Sequence, residues 1–403
     1  MKRLLIYTFL CILLLSCATV SSLGIFPTLT PTAAQPPLPT LTATVSPART
    51  VTSTPPPSLT PSPAPGYSSG AFAYGPSNFP ANVDPLTGLE VKDPSILRRR
   101  PLLVKVSNLP RSVRPQWGLS LADQVYEYYT EEGATRFTAV FYGQDATMVG
   151  PIRSARLFDN HLMTMYKANF AFASADYRAL HLLFKQDYAD RLVIEAFCPP
   201  MCRYKPNSAN LLVTNTVDLT NYINGQKVKG SNGRQNLDGL AFSNQPPSSG
   251  APARRVTVRY SAAIYNRWDY DPATGKYQRF SDQENDFDAK KETYAPLIDR
   301  LTKQQISADN VLVLYTNHKY FSQKPEVIDI TLSGPDKAIL FRDGQAFQLR
   351  WQSAKPLDAL FNLVSPDGQT FPLKPGNTFI EVVGASTKLA QNAPEWRFTF
   401  QIP

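Results

Sequence analysis

Histidine and cysteine are scarce in this chain of 403 residues: it has only His161, His181 and His318, and four cysteines. Three scattered histidines make neither a catalytic triad nor the ligand set of a zinc enzyme. Glycine patterns that cradle phosphate are missing too. The chain has no Walker loop, no HExxH, no dinucleotide glycine fingerprint and no nucleophile elbow. From residue 18 to 80 acidic residues are absent, Arg49 is the sole cation, and 14 of the 36 prolines occur among Thr, Ser and Ala. Such a stretch cannot bury enough apolar surface to offset its ordering entropy, which excludes a packed core there. At about 3.1 Å per residue in a polyproline-like form it reaches on the order of 150 Å, so residues 18–80 read as a tether. Its composition suits O-glycosylation or plain wall-spanning equally.

Ahead of the tether stand Lys2 and Arg3 and then the uncharged run 4–15, too short to cross a bilayer and of the size of a signal-peptide core. The run ends in Leu14-Leu15-Ser16-Cys17, which resembles the lipobox of bacterial lipoproteins. Residues 1–17 therefore read as a lipoprotein signal peptide, with Cys17 as the lipidated residue. That implies an extracytoplasmic chain anchored to the cell membrane. The formal charge of +9 falls to +7 once Lys2 and Arg3 are removed. A modest basic excess outside a membrane favours anionic lipids, wall polymers or phosphorylated lipids as neighbours and leaves nucleic acid out. Of the remaining cysteines, Cys11 leaves with the signal peptide. Cys198 and Cys202, in "CPPMC", read as a local disulfide: a thioredoxin-type pair has two intervening residues rather than three, and zinc would need further ligands. No metal or cofactor is expected.

Some 320 residues after the tether are more than one core usually supports, so two domains are expected, at 81–245 and 252–403. A strand at 102–106, a short helical turn near 119–123, and strand-like "VYEYY" and "TRFTAVFY" come first. Then "SARLFDNHLMTMYKA" (154–168) carries apolar residues at helical spacing, and "NFAFAS", "YRALHLLFKQDY" and "LVIEAF" read as strand, helix, strand. Alternation of that kind implies parallel pairing. Beyond a Gly/Pro/Asn/Ser-rich boundary at 230–252, short alternating segments with Asp-Gly turns indicate β structure, with one helix near 294–302. The fold class is thus an α/β (or α+β) N-terminal domain with a mixed, partly parallel sheet, followed by a smaller β-rich C-terminal domain. The aromatic set Tyr265, Trp268, Tyr270, Tyr277 and Phe280 reads as cross-strand packing in preference to a carbohydrate-stacking face.

The segment "GPIRSAR" (150–156) poses the functional question. Ser154 is a candidate helix N-cap, which puts Arg153 just outside the helix and Arg156 in its first turn. A cation there opposes the helix dipole unless something negative compensates. The compensating charge is either internal, from Glu127, Glu131, Glu132 or Asp176, or a bound phosphate or carboxylate. Strand order puts "GPIRSAR" and "SADYR" on one sheet edge, where α/β sheets form ligand crevices.

Several stretches resemble the YerB-like lipoproteins, a bacterial family of uncharacterised function. They are "DPLTG" (84–88), "RPLLVKVSN" (100–108), "RPQWGLSLADQVYE" (114–127), "EGATRF" (132–137), "GPIRSAR", "RYKPNSANLLVT" (203–214), "WDYDPATGKYQR" and "NVLVL". The resemblance spans nearly everything beyond the tether and implies a lipid-anchored surface protein with a mixed α/β domain and a β-rich domain, but no known activity. Two departures stand out. Ser174-Ala175-Asp176 occupies the place of a Gly-Gly-Ser step, and Ser208-Ala209-Asn210 the place of Pro-His-Asn. The reading that follows is a non-enzymatic module that binds an anionic envelope ligand or an envelope protein partner. Arg136, Arg153 and Arg156 would contact the anion, Glu127 and Glu132 would orient them, Asn210 would line the crevice and Asp123 would support it. The alternative is a polyprenyl-phosphate-handling phosphotransferase or hydrolase, analogous to the LytR-CpsA-Psr proteins, with Asp123 or Glu127 holding Mg²⁺.

Overall fold

Leu102, Leu103, Val104 and Val106 form a strand buried on both faces, the mark of a sheet covered above and below. The computed structural model describes residues 74–195, 198–205, 211–248, 250–332, 334, 336–353 and 359–402. The signal peptide with Cys17, the tether as far as residue 73, and Asn210 lie outside the described residues. In the N-terminal part the order is β1 (Leu102–Ser107), β2 (Gln124–Tyr129), β3 (Thr135–Phe141), α1 (Asp159–Tyr166), β4 (Asn169–Phe172), α2 (Tyr177–Phe184) and β5 (Leu192–Ile194). A two-stranded ribbon, β6 (Met201–Arg203) and β7 (Leu212–Thr214), and α3 (Thr216–Asn224) complete it. Strands β1, β4 and β5 are parallel and β1, β3 and β2 antiparallel, so the sheet is mixed as the sequence implies. Asp176 caps α2 by accepting from the Arg178 N–H at 2.9 Å, and Asn215 caps α3 through the Val217 N–H at 2.8 Å. Cys198 and Cys202 are joined by a disulfide.

The C-terminal part is β-rich. It contains β8 (Ala251–Pro252), β9 (Arg255–Arg259), β10 (Tyr265–Asp271), β11 (Lys276–Asp282), β12 (Tyr294–Pro296), β13 (Ser307–Ala308), β14 (Asn310–Gln323) and β15 (Glu326–Thr331). It continues with β16 (Asp336–Arg342), β17 (Gln345–Gln352), β18 (Asn362–Val364), β19 (Thr378–Gly384), β20 (Lys388–Asn392) and β21 (Glu395–Thr399). No helix forms near 294–302. Residues 294–296 pair as β12 with β11, and Asp299 folds the following turn by accepting from the N–H groups of Gly118 at 3.0 Å, Ser120 at 2.8 Å and Leu301 at 2.8 Å. Tyr265, Trp268 and Tyr277 are buried, so the aromatic set packs the core and offers no open stacking face.

Strands from both sides of the 245–252 stretch share one twelve-stranded sheet. Its path is β18-β17-β16-β14-β19-β2-β3-β1-β4-β5, with β15 on β14 and β8 on β17. The junction is the parallel pair β19 and β2, which sets Glu381 directly beside Glu127. The second sheet, β12-β11-β10-β9-β21-β20 with β13, supplies the countercharge. Arg279 of β11 reaches Glu127 Oε2 at 2.5 Å and Glu381 Oε1 at 3.0 Å, with all three side chains shielded from water. Remaining lone pairs are met by Asn108, Thr135, Asn266, Tyr260 and Trp268. Burial and the neighbouring Glu127 charge push the Glu381 carboxyl up to about 7 against the pull of Arg279. Among the described residues no helix is long and apolar enough to cross a membrane.

Removing the cation from this pair leaves two buried carboxylates facing each other. Arg279→Met is expected to cost about 3 to 5 kcal/mol in urea unfolding at pH 8. The loss should shrink toward pH 5, as Glu381 takes up a proton.

Candidate functional site: an arginine loop at the end of β1

The segment 150–156 is held as a strip of sheet and does not begin a helix. Trp117 and Gly150 exchange backbone hydrogen bonds at 2.8 and 3.1 Å, the Ser107 N–H donates to the Pro151 carbonyl at 2.8 Å, and the Ile152 N–H donates to Leu212 of β7 at 2.7 Å. Arg153 donates its N–H to the Lys105 carbonyl at 2.9 Å and accepts from Ala173 at 3.0 Å, and Ala155 donates to Ser174 at 2.7 Å. Gly150 is required at its place: a Cβ there would come within 2.9 Å of the Leu212 carbonyl and 3.0 Å of Val213, and its φ is +154°. "GPIRSAR" and "SADYR" therefore lie side by side, as the strand order implies. Ser154 is not an N-cap. The helix begins five residues later at Asp159, whose Oδ2 accepts the Arg156 N–H at 2.7 Å.

Three guanidiniums converge on this strip. Arg136, on β3, donates to the Ser154 carbonyl at 2.9 Å and to Glu131 at 2.9 Å. Arg156 grips the same carboxylate with two nitrogens, Nε at 2.6 Å and Nη2, and donates to the Ala155 carbonyl at 2.8 Å. Among the described residues the Arg153 guanidinium donates to Ser107 Oγ at 3.2 Å and pairs with no carboxylate. Beneath them Lys105, fully buried, reaches Asp159 at 3.2 Å and donates to the Tyr128 hydroxyl and to Thr138. Tyr128 and Thr138 also donate to Asp159 at 2.7 and 2.8 Å. The cluster thus sets Arg136, Arg153, Arg156 and Lys105 against Glu131 and Asp159. Burial, with the cationic neighbours adding to it, shifts the titrating groups. Burial and then the Arg156 charge lower Arg136 to about 10 and also depress Arg153. Lys105 falls to about 7, chiefly through burial and with Arg136 and Arg156 adding repulsion. Burial pushes Glu131 up, but Arg156 and Arg136 outweigh it and hold the carboxyl below its ordinary range.

The three arginines named from sequence are brought together; their expected supports are not. Glu127 lies on the opposite face of the sheet, committed to Arg279. Glu132 is exposed at a φ of 49°, and its N–H donates to Glu326 of β15 at 2.7 Å. The orienting carboxylate is its neighbour Glu131, in a turn that Glu326 steadies further through the Tyr129 hydroxyl at 2.9 Å. Asp123 is also remote from the loop. It accepts the Tyr142 and Gly143 N–H groups at 2.5 and 3.0 Å and hydrogen-bonds Asp84 of "DPLTG". Committed in this way, Asp123 and Glu127 do not form a magnesium site beside the arginines. Asp176 caps α2 and pairs with Arg178. Lys105 was missed, although a lysine inside the apolar run "LLVKVS" is itself a signal. Asp159 and Glu326 had no comparable signal.

Comparison with known proteins agrees with this architecture. Family models described as the N-terminal and C-terminal domains of a protein of unknown function, DUF3048, match residues 86–229 and 256–380. YerB of Bacillus subtilis (strain 168), whose name describes it as a lipoprotein, is 28% identical over 308 residues, covering 74% of this chain and 85% of YerB. The crystal structure of Bacillus subtilis YerB superposes with a TM-score of 0.60 at 25% identity, over 75% of this chain and 96% of that one.

The Asp84–Asp123 contact gives the fold a pH dependence. Burial pushes Asp84 up to about 6 from 3.8, and Asp123 is raised by burial and by the Asp84 charge. A carboxyl raised by folding contributes stability in full below its unfolded value and loses it as pH rises through the folded one. The melting temperature should therefore fall between about pH 4 and pH 7 in wild type. In Asp84→Asn, which removes the like charge, that stretch of the curve should be markedly flatter.

Proposed function

The chain belongs to the DUF3048 family of YerB-like proteins, and from that premise we propose a lipid-anchored, extracytoplasmic binding protein that takes an anionic envelope ligand on its arginine loop. The observation that carries this reading is the charge balance of a rigid strip. Three guanidiniums meet there over one carboxylate, with Arg153 unpaired by any acid among the described residues. An internal clamp needs one cation for Glu131, and Arg156 already supplies it. Arg136 and Arg153 are depressed first by burial and then by the Arg156 charge, and a phosphate or carboxylate would offset both effects. Every backbone donor and acceptor that fixes the strip is in place before a ligand arrives, which limits the entropy lost on binding.

Anchoring rests on Cys17 at the end of its lipobox-like run and on the lipoprotein description of the relative YerB. Catalysis is the weaker reading, because the carboxylates it would draw on are engaged elsewhere: Asp123 with Asp84, and Glu127 with Arg279.

Two measurements test the proposal. Full-length chain titrated with inorganic pyrophosphate should bind it in low salt, with affinity falling as ionic strength rises. Arg153→Ala/Arg156→Ala should lose that binding while keeping its melting temperature within a few degrees, since Arg136 still pairs with Glu131. Unchanged pyrophosphate binding would refute the reading. A double mutant that melts far lower beside a wild type that binds nothing would make the loop an internal clamp and turn attention to an envelope protein partner. For the anchor, cells fed labelled palmitate should incorporate label into the wild-type chain and not into Cys17→Ser.

A further inference from the structure

Beside the arginine loop lies a groove of about 950 Å³ between α2 and the end of the β14–β15 hairpin. Its floor begins at Leu157, the residue after Arg156, and Leu157 packs on Ala179 of α2 and Val327 of β15. Its walls carry Tyr177, Phe184 and Phe321, which are 68%, 46% and 57% exposed, an unusual outlay of large apolar side chains on one face. Arg178 and Lys185 line its edge, Arg178 being paired with Asp176 at 3.2 Å, and no carboxylate is among the described lining residues. The volume is at the upper end of the roughly 300 to 1,000 Å³ typical of small-ligand sites.

We infer that this groove takes the hydrocarbon chain of an anionic amphiphile whose phosphate rests on Arg153 and Arg156. The inference depends on the arginine loop being an anion site and names the ligand class that site serves. A free polyanion would leave the apolar walls exposed to water for no gain. A neutral lipid would leave the arginine excess uncompensated. One molecule with an anionic head and an apolar tail satisfies both, because Arg156 and Leu157 are consecutive and the loop strand at Ala155 pairs with Ala175 just ahead of Tyr177. Apolar burial then adds to charge pairing, and about two buried methylenes are enough for a tenfold gain in affinity.

The test uses full-length chain and two probes, inorganic phosphate and decyl phosphate below its micelle concentration, in isothermal titration calorimetry. Decyl phosphate should bind at least about tenfold tighter than phosphate. Phe184→Ser/Phe321→Ser, at two exposed positions and without change of charge, should erase that margin and leave phosphate affinity unchanged. Arg153→Ala/Arg156→Ala should lose both ligands. Equal affinity for the two probes in wild type, or a margin that survives the groove substitutions, overturns the inference while leaving the anion site standing. Phosphate and decyl phosphate binding that ignores the arginine substitutions overturns the anion site itself, and this inference with it. Melting curves of each variant exclude misfolding as the cause of lost binding.

Discussion

Two glutamates placed side by side inside a protein repel each other, and Glu127 and Glu381 are set side by side by the register of β2 and β19. Only a cation delivered from the facing sheet makes that register tolerable, and Arg279 delivers it, with its guanidinium 4.6 Å from the ring centre of Phe379, 5.0 Å from Trp268 and 5.4 Å from Phe137. A buried pair of this kind adds little net stability over an apolar replacement, yet it discriminates strongly against any arrangement that leaves one member alone. Its consequence here is connectivity. β19, the last strand of the larger sheet in chain order, pairs with β2 where Arg279 of β11 contacts both of them. N-terminal and C-terminal portions are thereby joined into one continuous sheet packed against a second.

That junction also divides labour between the two faces of the N-terminal strands. Residues 125, 127 and 129 of β2 point toward the second sheet. Tyr126 and Tyr128 point the other way, where they meet Phe158 and Tyr166 around α1. Arg136 pairs with Tyr128 and Ser107 in register, and Thr138 with Lys105, so the basic cluster occupies the helix-bearing face. On the face toward the second sheet, Glu127 and Glu381 meet their countercharge in Arg279. The helix face carries more guanidinium than carboxylate over a backbone that hydrogen-bonds pin from three sides. An excess of like charge on a rigid support destabilises the free protein slightly and favours whatever anion can bind the folded state alone.

Much of the frame was legible in the sequence. The first strand, the β-α-β alternation, the β-rich second part and the placement of "GPIRSAR" beside "SADYR" all follow from period and turn chemistry. What failed was parity and competition. Glu127 and Glu131 differ by four residues, yet one lies in a strand facing the second sheet and the other in the turn beyond, and only the β2–β3 register separates them. Ser154 has the chemistry of an N-cap, but its backbone is claimed by the neighbouring strip, with Ala155 bonded to Ser174, so the helix waits for Asp159. Residues 294–302 have helical composition, but Pro296 and the acceptor-rich Asp299 turn divert them. The contact of Asp123 with Asp84 could not be read from any local pattern, since it joins residues far apart in the chain.

The longest strand joins the frame to the groove. Through residues 310–316, β14 is fully enclosed, parallel to β19 on one side and antiparallel to β16 on the other over 310–314. From Asn317 onward it pairs, among the described residues, with β15, and its side chains alternate between covered and exposed until Phe321 stands open at the groove. The returning strand brings Glu326 to the turn that carries Glu131, and Val327 to Leu157. A change at the hairpin is therefore felt at the groove wall and at the carboxylate that orients the arginines, although the hairpin belongs to the C-terminal part and the arginines to the N-terminal part. Such sharing makes the junction at Arg279 a condition of the site as well as of the fold: within the larger sheet β14 reaches the N-terminal strands through β19, and the pairing of β19 with β2 sets where Phe321 and Glu326 stand relative to the arginines.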